Sequence, residues 1–286
     1  QPGNPLPWYS YASQIKRAVV NVTGATTAAG MFYECYNLEN VYLSGFDTST
    51  VTDMSSMFNM GDELNTKLTS IDLGRFDTSN VTDMSHMFEG CAALTWLGIY
   101  NFDTSKVTDM REMFTDCQSL DEIGLYSFDT SNVTDMAMMF SGCESIDYLY
   151  LKKFDTSKVT DMSAMFADCE SLTKLDMSSF DMSRVTNVEG MIENSSVIEL
   201  RTPKNLIQKV DLPVNTGDIW YQPNGKTVTK LPQRQSESFI YSRNAKPVLS
   251  NDEVVTLKKE GVSVRLLEEL DDSDQLWLKC TPETTG

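Results

Sequence analysis

Histidine is almost missing from this chain, which has a single one, His86, and contains no HExxH, GxSxG, P-loop or dinucleotide-binding phrase. The usual sequence marks of metalloproteases, serine hydrolases and nucleotide enzymes are therefore absent. A lone imidazole offers no partner for a metal cluster or a catalytic triad, so His86 reads as a solvated helix residue between Ser85 and Met87. Basic residues are scarce as well. The 23 Lys and Arg against 41 Asp and Glu give a formal charge of −18, which excludes a partner bound through a phosphate backbone. No apolar run reaches the ~18 residues that a membrane-spanning helix needs, so no membrane insertion is expected. The opening QPGNPLPWY lacks an initiator Met and a basic-then-apolar leader, and suggests a processed or engineered start. None of the six cysteines shows the CxxC spacing of a zinc site.

What is present is one phrase said many times. FDTS begins at Phe46, Phe76, Phe102, Phe128 and Phe154 and returns as FDMS at Phe180, giving a first interval of 30 residues and four of 26. A fixed period in this range is the mark of stacked repeats. Within the unit Met84, Met87, Phe88 and Cys91 fall at i, i+3, i+4 and i+7, the spacing of one helix face. Asp83 precedes them as the expected N-cap. After Leu94 the period drops to two, with Leu97 and Ile99 on one side and Trp96, Gly98 and Tyr100 on the other. The reading is helix, bend, short strand and turn, the turn being FDTSN, where Asp77, Thr78 and Ser79 can bond their own backbone.

Cys35, Cys91, Cys117, Cys143 and Cys169 share one slot of the unit. Side chains stacked in one slot point in parallel, whereas a disulfide needs facing Cβ atoms about 3.8 Å apart, so five buried reduced thiols are expected. The motif aspartates, six in FDTS or FDMS and five before the Met run, recur in every unit as turn and cap residues. That recurrence weakens both the calcium ladder and the paired-carboxylate glycosidase readings, because a structural role needs the acid everywhere and catalysis does not. The chain is expected to be no enzyme and to carry no cofactor or metal. The NVT phrases at Asn21, Asn80 and Asn132 repeat because the motif repeats.

The expected organisation is an N-terminal cap over 1–30 with Trp8, Tyr9 and Tyr11 as its lid, a repeat array over 31–200, and a β-rich cap over 201–247. A β-rich tail or small module follows over 248–286. The array carries four extra residues near GDELNTKL, and decays after Phe180, where Met182, Val188 and Ile192 replace the usual residues. In class terms this is α/β: a right-handed leucine-rich-repeat-like solenoid with parallel strands on one face and short helices on the other.

The phrases FEGCAAL, FTDCQSL, FSGCESI and FADCESL, each followed by a two-period strand, resemble the BspA-like leucine-rich-repeat surface proteins. The DTSNVTDMSxMF wording is similar to the branch found in host-associated bacteria, and PWYSYASQIKRAVV resembles the lead-in of those proteins. The resemblance spans roughly residues 7 to 245. It implies export and display at the cell surface, with binding or adhesion as the role and no catalytic motif.

The outward strand slots vary while the frame does not. Ser70, Asp72 and Gly74 give way to Trp96 and Tyr100, then Tyr126, then Tyr148, Tyr150 and Lys152. Strands about 4.8 Å apart place these on one aromatic face. Grouped exposed aromatics offer rigid area with polar tips and suit a binding site, but cross-strand pairs also stabilise sheets. The expected function is non-enzymatic binding of a host protein or glycan by a monomeric extracellular protein. The competing reading is an architectural spacer without a ligand.

Overall fold

The repeating phrase folds the same way each time, and its chemistry shows why. The computed structural model describes residues 7–61, 64–65, 67–203, 205–206, 208–213, 218–222, 226–231 and 238–244, with the backbone of two later strands, 263–266 and 278–281. In each unit the phrase's Asp closes a small turn on its own chain: Ser79 N–H donates to Asp77 Oδ1 at 3.0 Å and the Ser79 hydroxyl to the same oxygen at 2.6 Å. The threonine does something the sequence reading did not expect. The Thr104 hydroxyl, buried, donates to Asp129 C=O and accepts from Asp129 N–H, both at 2.8 Å, so it ties one unit to the next. Thr78, Thr130 and Thr156 make the same pair of bonds.

The expected helices are not there. Among the described residues the only helical elements are two short 3-10 turns, Tyr9–Gln14 and Leu125–Ser127. Residues 110–117 show what replaces them. Met113, Thr115 and Cys117 donate to Met110, Glu112 and Phe114, three residues back, at 3.2 to 3.3 Å. The alternate amides, Met110, Glu112, Phe114 and Asp116, leave the unit and donate to Asp135, Ala137, Met139 and Ser141 of the next at 2.8 to 3.1 Å. An α-helix would return each of those amides to the carbonyl four residues back, so inter-unit bonding and helix exclude each other. The result is two successive turns, 110–113 and 114–117, whose third residues Glu112 and Asp116 have φ of 57° and 56°, the region that a type II turn requires there. Every unit repeats this, with Gly30, Ser56, His86, Glu112, Met138, Ala164 and Gly190 all at positive φ in the first slot. Asp83 caps no helix. Its Oδ1 accepts from Ser85 N–H at 2.9 Å, and its backbone bridges in parallel to Asp53 and Asp109.

The turns still bury the residues that the helical spacing selected, since Met110, Met113, Phe114 and Cys117 are fully enclosed. Stacked units put like on like: Phe58, Phe88, Phe114, Phe140 and Phe166 form a column with ring centroids 5.7 to 5.9 Å apart and planes within 9° of parallel. Beside it runs the thiol column. Cys91, Cys117, Cys143 and Cys169 each donate Sγ–H to the carbonyl of the preceding unit's Phe at 3.2 to 3.5 Å. Burial pushes the Cys35 and Cys169 thiols up to about 12.

The strand row is short and broken. Strands β1 (Arg17–Val22) and β2 (Asn40–Phe46) pair in parallel, as do β3 (Ser70–Asp72) and β4 (Trp96–Gly98). Strands β5 (Lys174–Asp176) and β6 (Glu199–Arg201) then continue in parallel into an antiparallel closure made of β7 (Trp220–Tyr221), β8 (Thr227–Val228) and β9 (Ile240–Arg243). The sheet order is β5-β6-β9-β7-β8. Trp220 is fully buried there and donates its indole N–H to Pro213 C=O at 2.7 Å, and Arg243 pairs with Asp218. The expected PNG turn between β7 and β8 and the KEG turn of the tail lie outside the described residues. Two tail strands, β10 (Ser263–Leu266) and β11 (Leu278–Thr281), pair antiparallel. At the other end the lid is looser than expected. Trp8 donates its indole N–H to Met31 C=O at 2.9 Å, but Tyr11 is exposed and Ala12 is the residue that is buried. No helix among the described residues is long and apolar enough to cross a membrane.

Candidate binding face

Sequence reasoning placed Trp96, Tyr100, Tyr126, Tyr148, Tyr150 and Lys152 on one face. Trp96 opens β4 with 49% of its surface exposed, Tyr100 follows at 60%, and Tyr126 and Tyr148 stand at 57% and 61%. Lys152 is exposed and Tyr150 half-buried. Two of these rings are held down by glycines. A Cβ on Gly98 would lie 2.7 Å from Trp96 Cη2, and one on Gly74 would lie 2.5 Å from Tyr100 Oη. Both aromatics thus lie across bare backbone, Tyr100 over the preceding unit. Tyr126 and Tyr150 pair between adjacent units with centroids 5.2 Å apart and planes tilted 36°.

Tyr148 and Tyr150 form a wall between two clefts. One, of about 340 Å³, is lined by Asp121, Glu122, Tyr126 and Asp147, and is acidic. The other, of about 300 Å³, is lined by Lys152, Asp176, Ser178 and Arg201 and carries both signs of charge. Arg201 lies 3.7 Å from Asp176, so part of its charge is already answered. Sequence reasoning did not single out these charged residues: Asp121 and Asp147 each stand one residue before the first outward slot of their units, and Asp176 and Arg201 come from β5 and β6, one and two units on.

The backbone beneath this wall is also unusual for the array. Segments 122–124 and 148–150 occupy the strand row between β4 and β5 yet form no strand. Among the described residues, no amide of Glu122–Gly124 or Tyr148–Lys152 donates a hydrogen bond to another backbone group. Backbone polar groups want partners, and these segments are where the strand row lacks the pairing seen between β3 and β4 and between β5 and β6. Exposed rings, mixed charge and amides without a backbone acceptor therefore coincide in two neighbouring units. Such a surface can stack, accept and donate. No nucleophile with an activating base belongs to it.

His86 is a correction to the sequence reading. It is half-buried at a turn, with Nδ1 2.8 Å from Glu89 Oε2 and 3.5 Å from Glu112 Oε2. The Glu89 hydrogen bond raises its pKa above the ordinary value, while burial raises that of Glu112. Glu112 reaches the cluster from the following unit, which is why a search for a repeated histidine could not see it.

Unit-on-unit bonding through every second amide, over a continuous column of like residues, defines this chain as a repeat protein. More particularly, it belongs to the family described as Mycoplasma protein of unknown function, DUF285, whose profile matches residues 11–119, 64–148 and 121–210. No curated protein matches the chain, and no solved structure matches it either.

Proposed function

We propose that the chain is a cell-surface binding protein of the BspA-like kind, its array a right-handed solenoid whose broken strand row holds an extracellular protein or glycan of a host. The right-handed sense is the one that parallel connections favour. The observation that carries the reading is the coincidence at Tyr148 and Tyr150: aromatic surface stands exposed over backbone left without sheet partners, with a charged cleft on either side. A spacer has no need of exposed rings set between charged clefts. Binding without catalysis is the role assigned to this face.

The test is a glycan and host-matrix protein array probed with the full chain and with a Trp96→Ala, Tyr148→Ala double variant. Truncating a central aromatic anchor costs about 2 kcal/mol or more, which is roughly a thirtyfold loss of affinity. A ligand bound equally well by the folded double variant refutes the aromatic face. Absence of any ligand across the array supports the spacer.

A further inference from the structure

We propose that His86, Glu89 and Glu112 form a site for one zinc-class divalent cation, separate from the aromatic face. One ligand atom from each residue lies within 4.8 Å of the other two, and all three side chains are partly buried rather than free in solvent. A tetrahedral ion with bonds of about 2.0–2.2 Å holds its ligand atoms roughly 3.4 Å apart. The His86 to Glu112 separation of 3.5 Å already meets this, and the 2.8 Å His86 to Glu89 contact needs only a small opening. Imidazole with two carboxylates suits Zn²⁺, Co²⁺ or Mn²⁺ better than Ca²⁺, which prefers an all-oxygen shell. The two carboxylates balance the ion's charge, and the remaining position is left for water.

The scaffold positions these groups. His86 and Glu112 occupy the same positive-φ slot in successive units, and His86 N–H donates to Arg111 C=O at 2.8 Å, which fixes the two units in register. Elsewhere this slot takes Gly30, Ser56, Met138, Ala164 or Gly190, so the fold itself asks for no ligand there. Glu89 is held in place because Asn59 of the preceding unit, itself buried, donates Nδ2 to Glu89 Oε2, the oxygen that also faces His86. Such outer partners commonly align metal ligands. The adjacent cation, Arg111, is directed at Asp109 and Asp135, 3.9 and 4.0 Å away. The five column thiols do not compete, being buried.

The experiment is calorimetric titration of the full chain with Zn²⁺ in excess Mg²⁺, which occupies loosely held acidic sites, with Co²⁺ absorption as a second readout. One equivalent should bind, and His86→Ala and Glu112→Gln should each weaken it at least tenfold. His86→Ala should fold because Ala164 fills the same slot, and His86→Gly, as at Gly30 and Gly190, is the second variant. Absence of a saturable event, or an event that both variants retain, overturns the proposal. So does an event lost instead in Asp129→Asn, which would assign the ion to the turn acids.

Discussion

Replacing Phe114 by Ala tests whether the ring column holds the array together. The ring is fully buried and stacks on Phe88 and Phe140, with both centroids 5.7 Å away and planes tilted 6° and 8°. A buried Phe→Ala change costs about 3–5 kcal/mol from lost transfer energy and the cavity left behind. Each aromatic pair is worth about 0.5–1.5 kcal/mol beyond burial. Phe166 is the internal control. It is equally buried but stacks on Phe140 alone, because the next unit offers Ile192. Phe114→Ala should therefore cost about 4 kcal/mol in urea unfolding followed by circular dichroism, and roughly 1 kcal/mol more than Phe166→Ala. A Phe88, Phe114 double-mutant cycle should return the pair term directly. Equal costs at 114 and 166, with no coupling in the cycle, would refute stacking as a contributor and leave burial alone.

Thr104→Val keeps the shape but removes both bonds to Asp129 in a buried place, and should cost about 2–3 kcal/mol, seen in the same unfolding assay. Gly142→Ala should destabilise by at least ~1–2 kcal/mol, since φ is +70° and the new Cβ would lie 2.2 Å from Asp116 Oδ1. The five column thiols should react with a maleimide only after denaturation, read by mass spectrometry; prompt labelling of Cys117 would refute their burial. Hydrogen bonds from the Ser79 hydroxyl and amide hold the Asp77 carboxyl below its ordinary 3.8. A depressed folded pKa gives stability that is present above the unfolded value and lost as pH falls through the folded one. Ser79→Ala should move the Asp77 titration upward in an NMR experiment and flatten that acid limb.

The period, the buried residues and the exposed aromatics were legible in the sequence, because each depends on spacing alone. Met110, Met113, Phe114 and Cys117 are enclosed as their i, i+3, i+4, i+7 pattern required. The element was not legible from that pattern, since two successive four-residue turns bury the same positions as a helix. The discriminating signal lay in the slots between. Gly90, Gly142 and Gly190, with Asp116, Asp168 and Asn194, recur where the chain needs positive φ, and a helix interior has no use for them. The break in the strand row was hidden for a different reason. Leu149 and Leu151 keep the inward alternation of a strand and are buried like one, so periodicity could not report that their amides lack partners. The His86 cluster needed the register between units, which the 26-residue offset fixes only once side chains are placed.

The alternate-amide ladder makes the length of this molecule a counted quantity. Each rung from Met110 to Asp116 finds its acceptors at a constant offset of 25 residues, and the same offset serves the rungs at Met136 and Met162. Excision or duplication of a whole 26-residue period would return every amide to an equivalent carbonyl and every ring to an equivalent ring, and the one 30-residue unit keeps the same ladder at an offset of 29 because its four extra residues fall outside the rungs. Recombination between its own repeats could therefore lengthen or shorten the chain in whole steps without redesigning the interior. A step added on one side of Tyr148 and Tyr150 would move the proposed binding face one repeat further from that end of the array.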